Sequence, residues 1–234
     1  MKKIIINFSD MLMYFQYYKK IAYLEFLKIF KKLDYTGRIE SHHSSFKGYE
    51  GCYPIKRLLN MLNISKDDRI LDIGCGKGLS LYYSSMFNFK RIDGIEYSQR
   101  LTLIAKQNAK RLNDKRIHIY NCDAQNFKYY KRYNYFFINN PFSEEIMEKV
   151  VLAIIKSYSY KKRRITVIYQ FPFSIEKFII YGFEVKYEKF PNAILIFDGK
   201  FDRIETSFND KNEVNHYATP SQYIEDQMVS KATT

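Results

Sequence analysis

The stretch Ile70-Leu71-Asp72-Ile73-Gly74-Cys75-Gly76-Lys77-Gly78 decides the fold of this 234-residue chain. A short apolar run typical of a strand leads into three glycines spaced two apart, and a helical pattern follows. Glycine lets the backbone turn sharply and lets a ligand approach the main chain. The N–H groups at the start of the following helix favour a negative group. The stretch therefore predicts a strand, a ligand-binding turn and a helix.

Strands and helices alternate along the chain from this point. The patterns predict strands over 69–73, 90–96, 116–122, 133–139, 164–171, 183–190 and 193–197, and helices over 9–32, 55–62, 78–87, 98–112, 143–158 and 174–181. Alternation indicates βαβ units and a parallel sheet. The last two strands, joined at Pro191-Asn192, are too close for a helical crossover and must pair antiparallel. The predicted fold class is α/β: a seven-stranded, mostly parallel sheet with a C-terminal antiparallel hairpin, helices on both faces and an N-terminal helical extension.

The acid that ends the next strand extends the glycine turn into a binding site. Glu96 lies 24 residues after Asp72, and a carboxylate at that strand end can accept hydrogen bonds from both hydroxyls of a ribose. A dinucleotide site has the glycine spacing GxGxxG, whereas this turn has GxGxG. The spacing favours a sulfonium nucleoside over a pyrophosphate and disfavours a nicotinamide oxidoreductase.

The stretch over residues 50–198 resembles the class I S-adenosylmethionine-dependent methyltransferases of the Rossmann-like superfamily, including bacterial members. The resemblance implies S-adenosyl-L-methionine as the cofactor, with its methionine end at the glycine turn and its ribose on Glu96. Asn121-Cys122-Asp123-Ala124 is similar to the segment that contacts the adenine in that family. The cofactor-binding residues implied are Asp72, Gly74, Cys75, Gly76, Gly78, Glu96, Tyr97, Asp123, Ala124 and Tyr53.

The predicted fourth strand ends in Asn139-Asn140-Pro141-Phe142. This is similar to the Asn-Pro-Pro-Tyr/Phe motif of methyltransferases that modify planar nitrogens, in which the Asn grips the nitrogen and the aromatic ring stacks on it. Asn140 replaces the first proline, so nucleobase methylation is not implied. We take these four residues as the candidate catalytic residues. The alternative is a strand-end turn in which Asn and Pro are simply favourable residues.

Composition and charge limit the remaining possibilities. The chain is 46% hydrophobic, and its three cysteines are widely spaced, which predicts a globular protein of a reducing, cytoplasmic compartment without a metal site. The net charge is +13. Residues 201–234 hold three basic and six acidic residues, a net charge of −3, which leaves +16 for residues 1–200. Such a charge could attract nucleic acid, but AT-rich codon usage explains the lysines as well, and we expect neither nucleic acid as a partner nor an integral membrane span.

The domain division follows from these patterns. Residues 1–53 are expected to form a helix followed by a substrate or lid loop, with Ser9 as the N-cap of the helix. Residues 54–200 are expected to form the cofactor-binding domain, and residues 201–234 a polar tail. The basic, apolar helix is expected to pack over its own domain, with a membrane surface as the alternative.

The favoured function is methyl transfer to a small molecule or glycan precursor. A protein (lysine/amine) methyltransferase, a non-catalytic cofactor-binding module and a nucleic-acid methyltransferase are the alternatives.

Overall fold

The computed structural model describes residues 8–37 and 55–199. Its helices are α1 (Phe8–Lys31), α2 (Lys56–Asn60), α3 (Leu79–Ser85), α4 (Gln99–Leu112), α5 (Glu144–Tyr160) and α6 (Ile175–Ile180). Its strands are β1 (Arg69–Ile73), β2 (Arg91–Glu96), β3 (Ile117–Asn121), β4 (Tyr135–Asn139), β5 (Ile165–Gln170), β6 (Glu184–Lys189) and β7 (Asn192–Phe197). Tyr53, most of the predicted loop and the tail 201–234 lie outside the described residues.

The seven strands form one sheet in the order β3-β2-β1-β4-β5-β7-β6. Strands β1 to β5 pair in parallel, and β7 pairs antiparallel with both β5 and β6. The prediction of a mostly parallel sheet with a C-terminal antiparallel hairpin is therefore confirmed. The order reverses between β1 and β4, which opens a crevice at the carboxyl ends of these two strands.

Helices cover both faces of the sheet, as predicted, because alternate strand residues enter two separate cores. In β1, Leu71 and Ile73 face one core and Ile70 faces the other. The first core is closed by α5 and α6 through Val150, Ile154 and Phe178, among other residues. The second is closed by α1 to α4, with Leu24, Leu27, Leu59, Leu81 and Ala105 among its members.

The predicted helix starts were only partly right. Ser98 is the N-cap of α4, and its Oγ accepts a hydrogen bond of 3.3 Å from the Leu101 N–H. Ser143 precedes α5 without a side-chain cap bond. The prediction that Ser9 caps α1 was wrong, because this helix is already formed at Phe8, the first residue described. Helix boundaries are the least certain part of a sequence pattern, since end turns depend on tertiary packing.

Among the residues described, no helix combines the length and the apolar character that a bilayer crossing requires.

Candidate active site

The crevice between the ends of β1 and β4 brings the glycine turn against the tip of β4. Gly74 has φ +82°, and a Cβ at this position would lie 2.7 Å from the Cβ of Pro141. Glycine is therefore required twice over at this position, for the left-handed backbone and for the close approach. The N–H groups of Gly74 and Cys75 donate to the Ile95 carbonyl at 2.9 and 3.0 Å. These contacts fix the turn between β2 on one side and the end of β4 on the other.

Glu96 is tied to the glycine turn by its own carboxylate. Oε2 accepts a hydrogen bond of 2.9 Å from the Gly76 N–H, and Oε1 accepts one of 2.8 Å from the Ser98 N–H. Burial raises the pKa of Glu96, and these backbone N–H groups oppose that rise. The carboxylate thus lies between the turn and the start of α4, and its role in binding a ribose stays a prediction.

Asp72 is a second carboxyl group beneath the same turn. Its side chain is buried and accepts a hydrogen bond from the Ser80 hydroxyl. Burial raises the pKa of Asp72 to about 7, and repulsion from Glu96 adds to the rise. Two carboxyl groups that disfavour each other's charge make the turn a favourable place for a cationic ligand group and an unfavourable one for a pyrophosphate.

The other predicted cofactor residues differ in what they present to the crevice. The Cys75 side chain is directed at β2, since its Sγ lies 2.7 Å from the position a Cβ on Gly94 would take. Burial raises the pKa of this thiol well above its usual range, with Asp72 adding to the effect, so Cys75 offers the turn only its backbone. Gly78, with φ +84°, is the N-cap of α3. Tyr97 is 53% exposed after β2.

The predicted adenine-contacting segment follows β3. Asp123 caps the short 3₁₀ turn Ala124–Asn126, and its Oδ1 accepts a hydrogen bond of 2.9 Å from the Gln125 N–H. The Ala124 carbonyl accepts one of 2.8 Å from the Tyr130 hydroxyl. The Gln125 side-chain amide also donates to Asp123 Oδ2 at 3.3 Å, so both oxygens of Asp123 are engaged and the backbone of this segment is fixed.

Asn140 is the most unusual residue at the tip of β4. It is 2% exposed and has φ +42°, and neither amide atom has a hydrogen-bond partner among the described residues. A buried amide without partners is costly, and such groups and backbone strain concentrate at functional sites. Phe142 is only 5% exposed and belongs to the core beneath α5. The structure thus places its ring in the core rather than on an acceptor plane, the position that the resemblance implied.

A second strained residue, which sequence reasoning missed, lies at the tip of the neighbouring strand β5. Phe171 has φ +51°, rare for a bulky side chain, and its N–H donates to the Pro191 carbonyl at 2.7 Å. Its ring lies 5.6 Å from that of Phe190 and 6.1 Å from that of Phe173. In the sheet, Gln170 pairs with Asn139, so this aromatic cluster lies beside the β4 tip.

Lys77, also missed as a functional residue, fastens the N-terminal segment to the glycine turn. Its buried Nζ donates to both Asp34 carboxylate oxygens at 3.1 and 3.2 Å, and to the Thr36 carbonyl at 2.6 Å. The Asn108 amide donates to the carbonyls of Asp34 and Lys77. Burial would raise the pKa of Asp34, but the hydrogen bonds and charge of Lys77 outweigh it and lower that pKa. The separation of 43 positions between Asp34 and Lys77 explains why no local pattern indicated the pair.

Residues 127–133 are a run of basic and aromatic residues and residues 161–164 are a basic run, and several of their side chains make structural contacts. Phe127, Tyr130 and Tyr133 are buried in the core beneath α5 and cannot stack on bases. Arg163 donates to the carbonyls of Tyr133, Ser157, Lys161 and Tyr130. These four side chains therefore have structural roles in the described part of the chain.

Comparison with known proteins agrees with this geometry. Residues 64–173 match the sequence model of a family described as a methyltransferase domain. No curated protein sequence gives a significant match.

Three solved structures are among those similar to the chain. YcgJ from Bacillus subtilis is 13% identical, with a TM-score of 0.42, and half of each chain is covered, so our chain spans half the length of that protein. An rRNA methylase from Streptococcus thermophilus is 11% identical, with a TM-score of 0.47, and 62% of our chain and 93% of that chain are covered. A SAM-dependent methyltransferase from Aquifex aeolicus is 13% identical, with a TM-score of 0.47 and coverages of 60% and 88%. Residues 64–173, which contain β1 to β5, are thus similar to a methyltransferase domain, and they build the parallel part of an α/β sheet.

Proposed function

We propose that the chain transfers the methyl group of S-adenosyl-L-methionine to a small-molecule acceptor held at the tip of β4. The observation that carries this proposal is the close approach of Gly74 to Pro141, because Pro141 directly follows Asn140, whose amide is buried. Methyl transfer from a sulfonium needs close, in-line placement of the nucleophile more than a strong acid or base. The crevice offers such placement.

The electrostatics of the turn support S-adenosylmethionine over a dinucleotide. The cofactor carries an ammonium and a sulfonium group, and Asp72 and Glu96 lie under the turn that would receive its methionine end. An ammonium group near Asp72 would favour the ionised carboxylate, whereas the two negative charges of a pyrophosphate would disfavour it. The ribose hydroxyls would then compete with, or add to, the two backbone N–H groups that now bind Glu96.

The enclosure of Asn140 supports a small acceptor. The Asn140 amide is 2% exposed and has no hydrogen-bond partner among the described residues, so a small group that reached it would meet both a donor and an acceptor. A small molecule with a polar, planar group fits this requirement better than the surface of a folded protein. The Lys77–Asp34 contact also fixes the N-terminal segment on the other side of the turn, where it can contribute to the enclosure.

Titration calorimetry with S-adenosylmethionine, S-adenosylhomocysteine and NAD tests the cofactor. We expect the first two to bind and NAD not to bind, and a preference for NAD would refute the proposal. Glu96→Ala should weaken binding by about 1–3 kcal/mol, because charged hydrogen bonds are lost. The matched control is Glu188→Ala, which removes an exposed carboxylate from β6 and should leave affinity unchanged.

The acceptor requires a different assay, the transfer of a tritiated methyl group into a cell extract that is afterwards separated by size. Label in the low-molecular-mass fraction would support the proposal, and label in protein or nucleic acid would favour those alternatives instead. Asn140→Ala should lower turnover and keep cofactor affinity. Asn113→Ala is the control, because Asn113 also has a left-handed backbone (φ +54°) but lies at the far end of α4.

A further inference from the structure

Helix α1 has a second apolar face, whose large side chains are exposed in the described part of the chain. Only Leu24 and Leu27 of its apolar side chains described are buried against the second core. The residues on the opposite side, here called the outward stripe, are Phe15, Tyr18, Ala22, Phe26, Ile29 and Phe30. Five of them are large, and they are 58%, 65%, 46%, 62% and 68% exposed in that order.

Helical geometry makes the outward stripe continuous. At about 100° per residue, its six members fall within an arc of roughly 120° centred opposite Leu24 and Leu27. The helix is therefore apolar on two opposite sides. Isolated exposed apolar side chains are ordinary on a protein surface, but a contiguous row along one helix indicates an interaction site.

Basic side chains lie along this row and at the end of the helix. Lys19 lies 5.1 Å from the centre of the Phe15 ring. Lys31 and Lys32 are exposed at the end of the helix, and the exposed Arg111 joins them there by donating a hydrogen bond to the Lys32 carbonyl. Glu25 is the acidic residue exposed on the described part of the same helix.

We propose that the outward stripe of α1 docks the protein on the surface of an anionic lipid bilayer. A helix with aromatic and aliphatic residues on one side and lysines beside them lies in the plane of such a surface, with its apolar side chains among the acyl chains. The bordering cations add attraction to acidic headgroups. A second copy of this chain fits less well, because two molecules of net charge +13 repel each other.

Docking in this way would leave the attachment of α1 to the domain intact. The Tyr23 hydroxyl forms a hydrogen bond of 2.7 Å with the Tyr82 hydroxyl of α3, and the Lys28 ammonium donates to the Thr36 hydroxyl at 3.1 Å. Leu24 and Leu27 stay in the core. The opposite stripe can therefore enter a lipid surface while the methyltransferase domain remains folded in the aqueous phase.

Vesicle flotation of the full chain tests the proposal. Vesicles of phosphatidylcholine and phosphatidylglycerol, mixed at roughly 2:1, should carry the protein upward, and pure phosphatidylcholine should carry much less. The double variant Ile29→Ser with Phe30→Ser should lower partitioning about tenfold or more, because two apolar side chains no longer enter the bilayer. The control is Leu152→Ser with Ile180→Ser, which alters two residues of similar exposure (43% and 57%) on α5 and α6 and should bind like the unmodified protein.

Charge-reversal variants and a test for self-association complete the experiment. Lys19→Glu with Lys31→Glu should weaken binding to the anionic vesicles, and high salt should do the same. Equal binding of the stripe variant and the unmodified protein, or no binding by the unmodified protein, would overturn the proposal. Sedimentation velocity without lipid distinguishes the rival occupant: a dimer that the stripe variant abolishes, together with absent vesicle binding, would make the outward stripe a homodimer interface.

Discussion

The buried carboxyl group of Asp72 should make the stability of the protein depend on pH in an unusual direction. Burial raises the pKa of Asp72 from 3.8 to about 7, so the folded chain prefers its neutral form. A raised pKa means that this carboxyl contributes its full stabilisation below pH 3.8, and that the contribution is lost as the pH rises to about 7. The shift corresponds to about 4 kcal/mol, since one pKa unit equals about 1.4 kcal/mol.

Asp72→Asn isolates this contribution because an amide of the same shape does not titrate. The free energy of unfolding of the variant minus that of the unmodified chain should rise by about 4 kcal/mol between pH 4 and pH 8, with a slope of about 1.4 kcal/mol per pH unit. Urea denaturation followed by circular dichroism measures both proteins across this range. Taking the difference cancels the titration of the carboxylates that the two proteins share, apart from the coupling of Asp72 with Glu96.

The matched control is Asp67→Asn, which removes a carboxylate that is 76% exposed beside Lys90. Its stability difference should remain within about 0.5 kcal/mol at all pH values. A flat difference for Asp72→Asn over the same range would refute the reasoning, because the carboxyl would then be ionised in the folded chain at little cost.

Proton release links this carboxyl to the proposed cofactor. If the ammonium group of S-adenosylhomocysteine binds beside Asp72, it should lower the pKa of that carboxyl and expel its proton. Calorimetry in buffers of different ionisation enthalpy should therefore find release approaching one proton per ligand near pH 6 and almost none near pH 8.5. The same measurement on Asp72→Asn should detect no such release.

Three further substitutions test the contacts around the turn. Gly74→Ala should lower the free energy of unfolding by about 2–4 kcal/mol in urea denaturation, because alanine disfavours the left-handed backbone at this position and its Cβ would clash with Pro141. Lys77→Met should lower the free energy of unfolding by about 2–4 kcal/mol, and a double-mutant cycle with Asp34→Asn should show coupling between the two side chains. No coupling would mean that this ion pair does not stabilise the fold. Arg163→Met should lower the melting temperature by several degrees because it removes the guanidinium hydrogen bonds to the carbonyls of Tyr133 and Ser157, and an unchanged value would contradict that assignment.

The sheet was predictable from sequence because its signals are local. The apolar run before Gly74, the acid at Glu96 and the short spacing around Pro191 each determine a neighbouring element without distant information. The parallel pairing of β1 to β5 followed from the alternation of strands and helices. The N-cap at Ser98 was likewise a local feature of one turn.

The parts that sequence could not provide depend on contacts between distant segments. Asp34 has no pattern that ties it to Lys77, and the pairing appears only when α1 packs beside α3 and α4. The left-handed backbone of Phe171 was equally hidden, because bulky residues rarely adopt it and the hydrogen bond to Pro191 depends on the β6–β7 hairpin. Phe142 resembled a stacking residue in its motif, yet tertiary packing takes its ring into the core.

The two sides of the crevice differ in how their backbone conformations are held. On the β1 side, the backbone is held by glycines, and the acids beneath it bind main-chain N–H and hydroxyl groups. On the β4 and β5 side, two residues without glycine's freedom, Asn140 and Phe171, keep left-handed backbones at adjacent strand ends. Each such residue costs about 1–3 kcal/mol unless its surroundings hold it in place. Methyl transfer needs a cofactor side that accepts one constant ligand and an acceptor side shaped for a particular molecule, so specificity for the acceptor is expected to reside in the strained pair of strand ends.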